Sequence, residues 1–177
     1  MFRLYRERLE DQYEVELLYD LAFAPGRSAL SSYRLRNGVE PVASLSLTAR
    51  DEYDVLAGAI RYWPVRLGVR GDPALLLGPV AVHPTRQGEG LGALLITESL
   101  GKARDEGWSR VVLIGDAPYY SRFGFSREAA RALSFPPPTN PDRLLARELT
   151  PGAFRGAGGE VQNWAEWTPK LRGMDGG

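Results

Sequence analysis

The residues richest in chemical possibility lie in one stretch, Leu77-Gly78-Pro79-Val80-Ala81-Val82-His83-Pro84-Thr85-Arg86-Gln87-Gly88-Glu89-Gly90-Leu91-Gly92. An apolar strand pattern runs into a polar loop with glycine at alternate positions, and a helical pattern starts at once with Leu91, Leu94 and Leu95. Glycines let backbone N–H groups turn toward one point without Cβ obstruction. A helix N-terminus adds unpaired donors and a partial positive charge. The chemistry this suits is capture of a phosphate or pyrophosphate. Two phosphate loops do not fit: no G-x-x-x-x-G-K-[ST] string exists, and Gly88, Gly90 and Gly92 are spaced G-x-G-x-G rather than G-x-G-x-x-G. The pattern that fits in full is Gln87-x-x-Gly90-x-Gly92 after an apolar strand. Two other polar residues invite a catalytic reading and receive a structural one. His83 stands at a strand end before Pro84, and Glu89, beside an anion site, is expected to face outward into solvent.

Composition bounds the rest. The chain has 177 residues and a mass of 19.5 kDa, with 44% apolar and 25% charged residues, the profile of one globular domain. It has no cysteine and one histidine, which excludes thiolate chemistry and multi-histidine metal sites, so no metal is expected. Twenty-two basic and 22 acidic residues give a net charge of +0, against the basic excess of a nucleic-acid binder. Charges interrupt the first eight residues and the densest apolar run, 74–82, is too short to span a bilayer. A cytoplasmic protein with no membrane or nucleic-acid partner is the expectation. Lys102 and Lys170 are the only lysines, which disfavours Schiff-base chemistry.

The elements that must position the loop follow from periodicity. Val15, Leu17, Leu18, Leu21 and Ala22 predict a helix over 13–23, closed by Pro25-Gly26. Residues 41–49 and 55–65 read as strands in a meander around a polar break at 51–54. After a turn at 68–73, residues 75–82 read as a strand covered on both faces. A helix over 91–106 ends at Gly107, Arg110-Val111-Val112-Leu113-Ile114 is a buried strand, and 115–120 is a loop entering a helical turn that Gly124 ends. Asp116 is read as the cap of that turn. The tail offers weak strands at 144–149 and 160–164. The order is that of an α+β fold with a mixed sheet. One domain is expected over 1–172, with 173–177 frayed.

The run Val80-Ala81-Val82-His83-Pro84 with Gln87-Gly88-Glu89-Gly90-Leu91-Gly92 resembles the acetyl-CoA-binding motif of the GNAT acyltransferase superfamily. Tyr120-Ser121-Arg122-Phe123-Gly124-Phe125 is similar to the Y-x-x-x-G-F ending that follows the next strand in that family. Two motifs in order, one helix and one strand apart, carry the resemblance, and the tail looks like that of a bacterial subgroup of N-acetyltransferases. The resemblance implies a mostly antiparallel sheet flanked by helices, with a V-shaped splay between the two central strands. It implies an acetyl-CoA-dependent N-acetyltransferase acting by direct attack of a primary amine, on a small molecule or a peptide, and is compatible with a homodimer. Val80, Ala81 and Val82 would hold the pantetheine arm, Gln87, Gly88, Glu89, Gly90, Leu91, Gly92 and Ala93 the pyrophosphate, and Phe123 would touch the arm. Tyr120 would be the acid that protonates the departing thiolate, with Tyr119 pointing elsewhere. Two departures stand out: residues 75–82 carry no carboxylate base, and Gly115-Asp116-Ala117-Pro118 replaces an Asn frequent in the family. A CoA-binding regulatory domain without turnover is the alternative; a nucleotide-binding oxidoreductase is disfavoured by the loop spacing. The acceptor is expected against 23–33, 62–69 and the tail.

Overall fold

The computed structural model describes residues 1–23, 31–137 and 139–169. Strands β1 (Arg3–Arg6), β2 (Leu47–Arg50), β3 (Leu56–Leu67), β4 (Asp72–Val82) and β5 (Arg110–Ile114) lie side by side in that order. The short β6 (Leu133–Ser134) stands apart, β7 (Leu144–Glu148) flanks β5, and β8 (Gly159–Asn163) pairs with both β6 and the end of β3. Pairing is antiparallel except between β4 and β5 and between β6 and β8. A parallel neighbour needs a crossover. Of the helices α1 (Gln12–Ala22), α2 (Ser31–Arg34) and α3 (Leu91–Asp105), the last supplies it. A fourth, α4 (Ala117–Tyr120), follows β5.

Helix α3 packs Leu95, Ile96, Leu100 and Ala103 on Ile60, Tyr62, Leu75, Leu77 and Leu113 of the sheet. Within this apolar contact, Tyr62 Oη meets Ser99 Oγ at 2.7 Å, and Ser99 donates to the Leu95 carbonyl at 2.6 Å. Both polar groups are thereby satisfied. On the opposite face, Trp63, Val65, Leu76 and Val112 meet Leu35, Phe135, Leu144 and Val161. Helix α1 covers the remaining part, setting Val15, Leu18 and Tyr19 on Leu56, Ala59 and Ala81 while Leu17 and Leu21 stay exposed.

Strand β4 carries two irregularities. Its pairing with β5 is confined to Leu75↔Val111 and Leu76↔Val112, while β4 continues to Val82. The β3–β4 register shifts between Ile60↔Val80 and Tyr62↔Leu77, so that Gly78 and Pro79 together face Arg61 as a bulge.

The structure corrects the strand expected over 41–49. Residues Ala43–Leu45 form a 3-10 turn, and β2 begins at Leu47. Ser46 explains this: its N–H and its hydroxyl both bond back to the Val42 carbonyl, the local competition that serines offer an extended strand. The alternating charges at the N-terminus hide β1, an edge strand with Arg3 and Arg6 exposed and Leu4 and Tyr5 half-buried. The closing Pro25-Gly26 and the tail at 173–177 lie outside the described residues, as does much of 23–33. No helix among the described residues is long and apolar enough to cross a membrane.

Candidate active site

The start of α3 is built without a side-chain cap. Its N-cap is Gly90, left-handed at φ 77°, and no side chain bonds to the first turn. That φ suits only glycine well. Leu94 is the first residue to donate within the helix, to the Gly90 carbonyl at 3.0 Å. The N–H groups of Leu91, Gly92 and Ala93 therefore remain as free donors at the positive end of the helix dipole.

They face a cavity of about 480 Å³. Val80, Val82, Gln87, Gly88, Gly90, Leu91, Gly92, Ala93 and Tyr120 line it, as do three residues that sequence reasoning left aside, Arg86, Tyr119 and Arg122. No carboxylate is among the lining residues, and two guanidiniums are. Ala81, Glu89 and Phe123 are not among the residues that line it. Strand alternation turns the Ala81 side chain to the other face, against α1. Glu89 bonds to Arg86 Nε at 2.8 Å, and Phe123 is buried in the core under α3.

Arg86 is held from behind. Its Nη1 donates to Asp51 at 2.9 Å, and its guanidinium lies 4.7 Å from the Phe2 ring. Asp51 accepts in turn from the N–H groups of Val55 and Tyr53, which with Arg86 hold its carboxyl below the usual carboxylate range. Arg122 donates to the Tyr119 carbonyl at 3.1 Å and spreads over the Tyr119 ring. His83 accepts from the Thr85 N–H and fastens the turn Pro84–Arg86, away from the cavity lining.

Beyond β5 the chain turns through α4, which is closed by the 3-10 turn Ser121–Phe123. Asp116 caps α4 with its carbonyl, which accepts from Tyr119 and Tyr120, while its side chain makes no cap bond. The Tyr120 ring packs so closely over Gly115 that a Cβ there would lie 2.5 Å from it. Phe125 stands edge-on to Tyr120. Burial, and next the neighbouring Tyr119, push the Tyr120 hydroxyl up from 10.0 to about 12, so it keeps its proton at neutral pH. Tyr119 does not point elsewhere. It meets Tyr120 edge-on at 5.0 Å, and its hydroxyl lies 3.2 Å from where a Gly92 Cβ would be. Consecutive residues of one helical turn are about 100° apart, and here both directions meet the cavity.

The β4 backbone completes the wall. His83 N–H bonds to the Ala57 carbonyl of β3 at 2.7 Å. Alternation then directs the N–H and C=O of Val82 and Val80 to the opposite edge, where β4 has no β5 pairing. Near the bulge, the carboxylates of Glu7 and Glu16 are both held by Arg61, at 2.6 and 2.5 Å, so neither is a free base.

Residues 8–127 match the model of a family described as an acetyltransferase (GNAT) domain. The chain is similar to the N-acetyltransferase YhbS of Escherichia coli K12, with 31% identity over 121 residues that make up 67% of this chain and 71% of YhbS. Its fold is similar to the crystal structure of E. coli YhbS in complex with CoA, with a TM-score of 0.79 and 26% identity over 92% of this chain and 89% of that one. A GNAT family acetyltransferase from Brucella melitensis in complex with acetyl-CoA gives a TM-score of 0.65 and 28% identity, over 85% and 90% of the two chains.

Proposed function

The chain belongs to the GNAT acetyltransferase family, and from that premise we propose that it transfers the acetyl group of acetyl-CoA to a primary amine by direct attack. The observation that carries this reading is the uncapped α3 N-terminus, which faces a cavity bounded by Tyr120. The relatives in complex with CoA and acetyl-CoA support it.

The pyrophosphate sits on the N–H groups of Leu91, Gly92 and Ala93 and on the Gln87–Gly90 loop, with Arg122 and the held Arg86 beside it. The pantetheine arm runs along the free edge of β4 and bonds to the backbone of Val80 and Val82, like a strand added where β5 has left. The thioester then lies near Tyr120. The amine nitrogen bonds to the thioester carbonyl carbon, and a β4 N–H near Val82 stabilises the oxyanion. The C–S bond breaks, the thiolate takes the Tyr120 proton, the ammonium proton leaves to water, and Tyr120 regains its proton from water. The amine arrives deprotonated, since no carboxylate lines the cavity. That same feature favours a second reading, a CoA-binding domain without turnover.

An amine panel mixed with acetyl-CoA, with CoA thiol release followed in time, separates the two readings. Transfer predicts release that depends on one class of amine. Tight acetyl-CoA binding with release no faster than hydrolysis for every amine would leave the binding domain.

A further inference from the structure

The face of the sheet opposite α3 carries a second polar constellation at the level of the β4 bulge, and we propose that it receives an acceptor amine that also bears a carboxylate, with Arg36 as the residue that binds the carboxylate. This rests on the acetyltransferase reading and names its substrate class. Arg36 follows α2. Its guanidinium carbon lies 3.9 Å from the Tyr33 ring centroid and 5.3 Å from that of Trp63. Its Nε is buried without a hydrogen-bond partner, and among the described residues no carboxylate pairs with it. Three other sheltered arginines are taken by carboxylates: Arg61 by Glu7 and Glu16, Arg50 by Asp11 and Glu14, and Arg86 by Asp51 and Glu89. Arg66 shares the unpartnered Nε and the aromatic stacking, on Trp164 and Trp167, but it donates to the Gly71 carbonyl and lies away from the β4 bulge. Burial lowers the Arg36 pKa, yet a guanidinium stays charged at any physiological pH. Aromatic faces offset part of the lost hydration. Tyr33 also hydrogen-bonds the guanidinium, but no carboxylate among the described residues meets it, and a carboxylate is the natural complement of its fork.

Position links this fork to the reaction. Trp63, beneath Arg36, donates its indole N–H to the Gly78 carbonyl at 2.8 Å, and Tyr19 donates to the Pro79 carbonyl at 3.2 Å. Gly78 is buried, yet a Cβ built on it meets nothing within 4 Å. Open space thus adjoins β4 where its pairing with β5 has just ended, on the way to Val80. A molecule with its amine there has its other end toward Arg36. One guanidinium without a carboxylate partner, beside a saturated Arg61, supplies a single positive charge, which matches a carboxylate; a phosphate dianion asks for a second.

The test reads binding rather than turnover. The CoA-saturated protein is titrated with α- and ω-amino carboxylates of increasing length and with their matched amides. At least one carboxylate should bind tenfold or more tightly than its amide. Arg36→Gln should erase that preference, and Arg36→Lys, which keeps the charge but not the fork, should retain only part of it. Affinity for CoA should be unchanged in both. The proposal is overturned if no carboxylate binds, if carboxylates and amides bind alike, or if the preference survives in Arg36→Gln. Should Arg36→Gln fail to fold, the wild-type comparison and Arg36→Lys decide. Failure to bind CoA would instead remove the acetyltransferase reading itself.

Discussion

Tyr119 and Tyr120 are neighbours with different tasks. Burial lifts the Tyr120 hydroxyl to about 12, so it is protonated at every pH below ~10 and regains from water the proton that it donates in each turnover. Tyr120→Phe should lower kcat by about 10²-fold with little change in KM for acetyl-CoA. Tyr119→Phe, whose hydroxyl lies over Gly92, should raise that KM with kcat unchanged; equal kcat for Tyr120→Phe and the parent would mean that the proton comes from water or substrate. The pH dependence has a definite sign. A folded pKa raised above the unfolded value contributes stability that is complete below pH ~10 and is lost as pH rises toward about 12. Buried Tyr19 and Tyr62 shift the same way, so urea titrations should show stability falling steeply above pH ~10. Tyr120 was legible from its spacing to Gly124-Phe125. Tyr119 was not, because direction within a single helical turn is set by packing. Arg86 was not, because its partner Asp51 is 35 residues away.

Helix α3 is the element on which the site depends, and two glycines of unlike kind set its start. Gly58 of β3 lets the helix approach: a Cβ there would lie 3.0 Å from Leu91 Cδ2 and 3.1 Å from the Ala81 carbonyl oxygen. Gly92 borders the cavity, where a Cβ would meet only the Tyr119 hydroxyl at 3.2 Å and Val82 at 3.7 Å. Gly58→Val should therefore destabilise the fold by about 1–3 kcal/mol, through overpacking, and weaken acetyl-CoA as α3 is pushed away. Gly92→Val should fold with a nearly unchanged Tm and still lose acetyl-CoA affinity by tenfold or more. Thermal melts and titrations of the two variants check this, and matching behaviour would remove the distinction. The helix and its glycine loop were plain in the sequence because period and punctuation are local. The 3-10 turn before β2 was hidden because Ser46 competes for backbone bonds that the apolar pattern does not record.

At the scale of the molecule, the tail is woven into the sheet. β7 lies along the whole of β5, β8 continues the edge of β3, and Leu145 and Val161 are fully buried. Asn163 ties β8 to the loop that carries Arg36, donating to the carbonyls of Arg34 and Asn37. Limited proteolysis should thus yield no stable acetyl-CoA-binding fragment cut between β6 and β7, and the appearance of one would contradict this. The α+β order was legible from β3 to β5 because each element there has a clear period. The junction of β8 with β3 was not, since it pairs residues about a hundred positions apart and no local pattern encodes it. The central claim, that the α3 N-terminus and the free edge of β4 hold acetyl-CoA, is tested most directly by calorimetric titration of the intact protein with acetyl-CoA. Saturable binding at one site per chain is predicted, with stabilisation of about 2.7 kcal/mol at a hundredfold excess over Kd. No heat of binding and no shift in Tm at millimolar acetyl-CoA would contradict it.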